Sequence, residues 1–174
     1  MIKKFFTLVL LTSISCSTGY LDKYGVHRPK RPSYQLKNKK GDIIPIELDI
    51  LNLYRYYGYY IGGKLVKNKF RDPDWNIYKK FNSNGRVYSF GTNNLKESDL
   101  DPNYGSKGYF VFDKKNNIIK YEAFTNGNGG QYVIIKYMLN KTGDTLTSLH
   151  RNKKCQVYVK EKIPSNWKKY ESNW

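Results

Sequence analysis

Few side chains in this sequence could do chemistry, and their spacing assembles no known catalytic site. The two histidines, His27 and His150, form no pair with metal-ligand spacing. Glu122 and Glu161 fall in predicted strands, and paired carboxylates can hydrolyse glycosides, but a strand glutamate facing water or pairing a lysine explains each better. The glycine-rich stretch 127–130 fits a hairpin turn better than an anion cradle. The sequence therefore predicts a protein that is not an enzyme and uses no metal or cofactor.

The amino terminus has the features of an export signal. Lys3 and Lys4 form a positive start, residues 5–11 form a short apolar core, and Ser15-Cys16 follows. This arrangement resembles bacterial lipoprotein precursors. The resemblance implies cleavage before Cys16, a thioether-linked diacylglycerol on its sulfur and acylation of the new amino group. We therefore expect 1–15 to be a lipoprotein signal peptide and Cys16 to be the lipidation site.

The second cysteine, Cys155, is consistent with lipidation of Cys16. The chain has two cysteines, so a lipidated Cys16 leaves Cys155 without an internal disulfide partner. Cys155 alternates with Val157 and Val159, which indicates a small buried side chain in a strand.

The polar stretch 16–41 contains Pro29 and Pro32 and is predicted to be a flexible tether. As a coil of about 25 residues it would span roughly 25–30 Å. No acidic cluster follows Cys16, so we expect a cell-envelope protein, lipid-anchored at the outer membrane and facing the periplasm. Residues 42–174 are expected to form one domain.

The net charge of +17 does not predict nucleic-acid binding. Of 31 basic residues only six are arginine, and the lysines are scattered through turns beside asparagines. Solvated lysines at turn tips explain this charge, and a basic surface facing anionic lipid or glycan remains the alternative.

Short apolar runs separated by turn signals dominate the chain from residue 75 to 161. Asn, Asp and Gly clusters occur at 82–85, 113–117, 126–130, 140–144 and 152–154. The runs between them are rich in Tyr, Phe, Val and Ile, as strands are. Consecutive short antiparallel strands make a meander, which closes into a barrel or packs as a sandwich. The sequence thus predicts an all-β fold.

Alternation assigns the faces of two of these strands. Val133, Ile135 and Tyr137 share one face of their strand, and Val157 and Val159 share one face of the last strand. Both sets are predicted to point inward.

The flanking segments are less regular. The tyrosine-rich stretch 48–60 could be a short helix that runs into a strand bent at Gly62-Gly63. Trp167, Tyr170 and Trp174 have the spacing of one helix face, so a short helix, or an irregular tail, should pack its aromatic side chains on the sheet.

Strand-and-turn patterns of the meander resemble small lipocalin-like lipoproteins of Gram-negative bacteria. They are Gly58-Tyr59-Tyr60, Tyr78-Lys79-Lys80-Phe81, Gly85-Arg86-Val87-Tyr88, Gly108-Tyr109-Phe110 and Gly143-Asp144-Thr145-Leu146. The resemblance implies an antiparallel barrel of about eight strands that binds a small apolar or lipid ligand. Its interior would then supply the ligand-binding residues Val133, Ile135, Tyr137, Val157 and Val159.

Two functions therefore stay open. The barrel could bind a small apolar ligand, or the protein could be a structural or interaction lipoprotein. The latter would use a Tyr- and Lys-rich outer face on an envelope protein, a glycan or a membrane. An open apolar cavity would favour the first function and a filled barrel would remove it. The sequence does not indicate an oligomeric state.

Overall fold

The computed structural model describes residues 19–37, 44–67, 70, 72–125, 130–149, 154–170 and 173–174. The predicted signal peptide, the predicted lipidation site Cys16 and His150 lie outside these residues, as does most of the glycine-rich stretch 127–130.

Strands make up most of the regular structure, which confirms the predicted all-β class. Two short 3₁₀ turns, Glu97–Leu100 and Pro102–Tyr104, are the helical elements of the described residues. The strands are β1 (Gly19–Leu21), β2 (His27–Pro29), β3 (Leu53–Ile61), β4 (Lys64–Lys67), β5 (Asn76–Phe81), β6 (Arg86–Thr92), β7 (Ser106–Asp113), β8 (Ile118–Thr125), β9 (Gln131–Leu139), β10 (Thr145–Ser148) and β11 (Cys155–Glu161).

The main sheet is a closed antiparallel barrel, as predicted. From β5 to β11 each strand pairs with its neighbour in sequence, and β3 pairs with both β5 and β11. Eight strands thereby close the barrel, and β4 adds a ninth strand beside the second half of β3. Closure leaves these eight strands with paired neighbours, which removes the exposed edges of an open sheet.

The prediction of a helix within 48–60 is wrong. Residues from Leu53 onward form β3, because a run of tyrosines suits a pleated surface. The Asp49 carboxylate accepts hydrogen bonds from the backbone N–H groups of Leu51 and Asn52, which makes a turn ahead of the strand. Gly62 and Gly63 have φ of 55° and 78°, so they reverse the chain in a two-residue hairpin between β3 and β4 rather than bend one strand.

Two apolar clusters stabilise the barrel, one inside it and one on its outer face. The inner cluster includes Tyr54, Phe81, Phe110, Tyr137 and Tyr158. The outer cluster is built on Leu53, Tyr78, Tyr88, Phe90 and Leu100. Trp167, Tyr170 and Trp174 pack against the outer cluster, but residues 162–170 form an irregular segment with one turn. Of the two predicted forms, the carboxyl-terminal segment is thus the irregular tail.

Strand register confirms the predicted inner face of β9. Val133, Ile135 and Tyr137 pair with Ala123, Tyr121 and Ile119, which all belong to the inner cluster.

The prediction for β11 is wrong. Tyr158 pairs with the core residue Leu146 and lies in the inner cluster, so Val157 and Val159 lie on the opposite face of the strand. Val157, Tyr158 and Val159 are all apolar, so alternation alone could not choose the inner face. A register shift against β3 between Val157 and Tyr158 also interrupts the ladder here.

The predicted flexible tether is wrong for residues 19–37, which pack on the barrel. Strands β1 and β2 form a small antiparallel hairpin. The Arg28 guanidinium donates to the carbonyl oxygens of Asn103 and Gly105 at 2.6 and 2.7 Å, and it pairs with Asp22 at 2.8 Å. The Leu36 N–H donates to the buried carboxylate of Glu122 at 2.8 Å. These polar contacts stabilise a segment whose composition alone resembles a linker.

Within the residues described, no helix is long and apolar enough to cross a membrane.

Candidate ligand-binding cavity of the barrel

A cavity of about 520 Å³ opens at one end of the barrel. Its volume lies in the range of small-molecule sites. Apolar and aromatic side chains from β5, β6, β8 and β9 form most of its inner wall, and the β1–β2 hairpin contributes to its rim. The lining residues include Ile77, Lys79, Ser89, Tyr121, Ala123, Val133 and Ile135 inside, and Leu21, Val26, His27, Trp75 and Tyr104 at the rim.

Lys79 is the charged residue of the cavity floor. Alternation along β5 places it on the inner face with Ile77 and Phe81, and only 5% of it is exposed. Its Nζ donates a hydrogen bond to Ser89 Oγ at 3.0 Å. Burial lowers the pKa of Lys79 from 10.5 to about 7 because a low-dielectric surrounding disfavours the charged ammonium.

Three tyrosine rings surround the Lys79 ammonium. Nζ lies 4.5 Å from the ring centre of Tyr121, 5.0 Å from that of Tyr158 and 5.9 Å from that of Tyr137. The negative faces of aromatic rings attract a cation at these distances. Burial raises the pKa of Tyr121 to about 12 and those of Tyr137 and Tyr158 well above their usual value. The three phenols therefore stay neutral at physiological pH, and none of them neutralises the ammonium.

The polar groups of the floor are connected to one another. Ser89 Oγ and Tyr121 Oη lie 3.3 Å apart, and either can donate to the other. Since Ser89 also accepts from Lys79, one hydroxyl hydrogen of the Ser89–Tyr121 pair is left for another acceptor. The floor is therefore a cluster of hydrogen-bond donors.

Two glycines make room for aromatic side chains of the site. A Cβ on Gly108 would overlap with the Tyr121 ring and with the Glu122 carbonyl oxygen, so glycine lets that ring lie close to β7. A Cβ on Gly91 would overlap with the Trp75 indole. Trp75 thus lies across the backbone of β6 at the rim, where it is partly exposed.

The structure brings together only part of the predicted set of binding residues. Val133 and Ile135 line the cavity, and the Tyr137 ring centre lies 5.9 Å from Lys79 Nζ. Val157 and Val159 lie on the opposite face of β11 and line no part of it. Ligand binding by any of the five stays a prediction.

The other residues considered for chemistry lie apart. Glu122 is buried under the amino-terminal segment, and Glu161 pairs with Arg55 on the outer side. His27 stacks on Phe124 at the rim. Among the described residues no three His, Cys, Asp or Glu side chains cluster as metal ligands, and Cys155 is a free thiol.

Sequence reasoning did not single out Lys79 as a site residue, although a signal was present. Lys79 stands between Ile77 and Phe81 on the apolar face of a period-two strand, where a charged residue is unusual. The adjacent Lys80 made that signal weaker, because two successive lysines are typical of a solvated turn. Lys80 in fact lies on the outer side and donates to the Ile50 carbonyl.

Fold and site together define a small antiparallel β-barrel with an open, largely apolar cavity and a buried lysine at its floor. No protein-family model, curated protein or solved structure matches the chain.

Proposed function

We propose that this protein binds a small, mostly apolar ligand inside its barrel while a lipid on Cys16 holds it at the envelope membrane. The cavity of about 520 Å³ is the observation that carries the proposal. A binding site of this size with a mostly apolar wall and a few converging polar groups is typical of small-molecule binding proteins.

The position of the amino-terminal segment supports a ligand that comes from the membrane. Leu21 forms part of the rim and lies five residues after Cys16. Five extended residues span at most about 17 Å. A lipid on Cys16 would therefore hold the mouth of the cavity close to the bilayer, where apolar molecules are concentrated.

Titration with an uncharged fluorescent probe tests ligand binding. N-phenyl-1-naphthylamine should bind a Cys16→Ser protein, which needs no detergent, with a rise in fluorescence and a stoichiometry of one. Ile135→Trp should abolish the rise by filling the cavity. Ile134→Trp is the matched control, because Ile134 is 44% exposed on the opposite face of the same strand and should leave the titration unchanged.

Val133→Phe and Ala123→Phe fill the same space from two other positions, so the test does not depend on the correct folding of Ile135→Trp alone. Binding that persists in every filled variant with native circular dichroism would contradict the proposal.

The anchor is tested separately. The unmodified protein should incorporate labelled palmitate and partition into detergent, and Cys16→Ser should do neither. Palmitate labelling that survives in Cys16→Ser would show that the anchor lies elsewhere, without bearing on the cavity.

The exposed β3–β4 hairpin supports the alternative function. The β3–β4 hairpin exposes Tyr60, Ile61, Leu65 and Val66, with Lys64 and Lys67 beside them. Exposed apolar residues flanked by lysines suit an anionic membrane surface. Cys16→Ser protein that sediments with anionic vesicles, and that no longer does so after Leu65→Ser and Val66→Ser, would favour this surface-binding function.

A further inference from the structure

The Lys79 ammonium has no counter-ion in the part of the chain that the structure describes. None of the ion pairs there includes it, and burial alone accounts for its lowered pKa. A buried charge without an opposite charge destabilises a fold unless some other molecule supplies the partner.

The hydrogen-bond inventory gives the chemical character of that partner. An ammonium has three N–H donors, and Ser89 accepts one of them. Tyrosine rings lie around the ammonium, Lys79 lines the cavity, and the Ser89–Tyr121 pair has one further hydroxyl hydrogen to donate. Donors converge here without an ionised acceptor among the described side chains, so a ligand should bring an acceptor, and an anion suits best.

We propose that the ligand of the barrel carries one carboxylate-like anionic group, which pairs with Lys79 and accepts from the Ser89–Tyr121 hydroxyl pair while its apolar body fills the cavity. This inference rests on the proposed ligand-binding function and names its ligand class: an amphipathic acid with a single anionic group. Ile77, Ala123, Val133 and Ile135 would contact the apolar body.

A purely structural role would leave the ammonium unexplained. Methionine fills a volume similar to that of a lysine stem and carries no charge to bury, so the core would pack as well without the cation. The three tyrosines attract the ammonium, but rings lack a full negative charge. The position of Lys79 on the cavity wall, within reach of an incoming ligand, distinguishes it from a lysine enclosed by protein alone.

Decanoate and decanol test the proposal because they share a chain and differ at one end. Each should displace N-phenyl-1-naphthylamine from Cys16→Ser protein, and the ratio of the two Kd values measures the preference for the acid. The Cys16→Ser protein, in which Lys79 is intact, should bind decanoate at least tenfold more tightly than decanol, which is the effect of a hydrogen bond to a charged group. Lys79→Met should remove that preference while decanol still binds. Lys136→Met, which removes a charge from the exposed face, should preserve it.

A second readout is the titration of the bound acid. Decanoate labelled with ¹³C at its carboxyl group should titrate at a lower pH when bound to the protein with Lys79 than when bound to Lys79→Met, because the ammonium stabilises the carboxylate whereas desolvation raises its pKa in both proteins. The same carboxyl pKa in both proteins, or equal affinities for acid and alcohol, would overturn the inference and leave apolar binding intact. Failure of both ligands and of the probe to bind would instead overturn the proposed function and this inference with it.

Discussion

Lys79 Nζ lies 4.5 Å from the centre of the Tyr121 ring, inside a barrel whose other inward residues are almost all apolar. The tyrosines compensate only part of the cost of burying the ammonium, since a desolvated cation–π contact stabilises by about 2 kcal/mol. A cation kept at such a position is better explained by binding than by folding.

Replacing Lys79 with methionine should therefore stabilise the ligand-free protein. We expect the free energy of unfolding of Lys79→Met to exceed that of the unmodified protein by about 1–3 kcal/mol at pH 6, since the lost cation–π contacts offset part of the removed desolvation cost. Denaturant melts measure this difference, and Lys136→Met, which changes an exposed residue, should leave stability within about 0.5 kcal/mol. A strongly destabilised Lys79→Met would mean that the tyrosines hold the ammonium for structural reasons.

The difference in free energy of unfolding between Lys79→Met and the unmodified protein should decrease as the pH rises. Folded Lys79 releases its proton near pH 7, whereas the unfolded lysine keeps its proton up to about pH 10.5. The unfolded state therefore binds more protons between these values, and the unmodified protein gains stability with pH by up to about 1.4 kcal/mol per unit. The raised pKa values of Tyr121, Tyr137 and Tyr158 oppose this trend only above about pH 10, where free tyrosine ionises. Denaturant melts of both proteins from pH 6 to 9 measure this pH dependence. If the free energies of unfolding of the two proteins change in parallel with pH, the pKa of Lys79 is not lowered.

The register of β10 predicts a sharp contrast between neighbouring positions. Leu146 is fully buried against Leu139 and Tyr158, so Leu146→Ala should cost about 2–5 kcal/mol. Thr147, the next residue, lies on the opposite face, and Thr147→Ala should cost less than about 1 kcal/mol. Urea melts of the two variants compare them directly. The reverse order would mean that Val157, the partner of Thr147, points into the barrel after all.

Arg28 should control how firmly the amino-terminal segment packs. Its planar guanidinium reaches two carbonyl oxygens and a carboxylate at once, which a shorter or unforked side chain cannot do. Arg28→Ala should speed amide hydrogen exchange across 20–36 by at least tenfold while the barrel strands change little. Arg31→Ala, at an exposed position, is the control. Unchanged exchange in Arg28→Ala would assign the packing to other contacts, such as the hydrogen bond from Leu36 to Glu122.

Gly91 should determine where the Trp75 ring lies. Gly91→Ala introduces a methyl group into the space of the indole, so the ring must move away from the rim. In the NMR spectrum of the indole N–H groups, the Trp75 signal should shift, and those of Trp167 and Trp174 should stay in place. Trp75→Phe assigns the signal. An unchanged Trp75 signal would show that the added methyl group does not displace the ring.

The barrel was predictable from local signals, and its details were not. Turn clusters and β-favouring runs determine where strands begin and end, and short turns between successive strands imply a meander. The face of β11 was not predictable because Val157, Tyr158 and Val159 are all apolar, and only the pairing with Leu146 selects Tyr158 for the interior. The β3–β4 hairpin depends on a positive φ at two glycines that could equally have marked a bend.

The site was less predictable than the fold. Val133 and Ile135 followed from alternation, but the cavity floor needs β5, β6, β8, β9 and β11 to meet around Lys79. The amino-terminal part of the rim depends on hydrogen bonds from Arg28 to residues about 75 positions away, and such long-range contacts leave no periodic pattern in a sequence.

Native mass spectrometry of protein purified from its own cells, without harsh detergent, tests the central claim most directly. A single bound small molecule should appear on the folded protein, dissociate on unfolding and prove to be an amphipathic acid. It should be absent from Ile135→Trp and present on Ile134→Trp prepared in the same way. Empty protein in all three preparations, together with failure to take up added decanoate, would contradict the claim that this barrel is a ligand-binding protein.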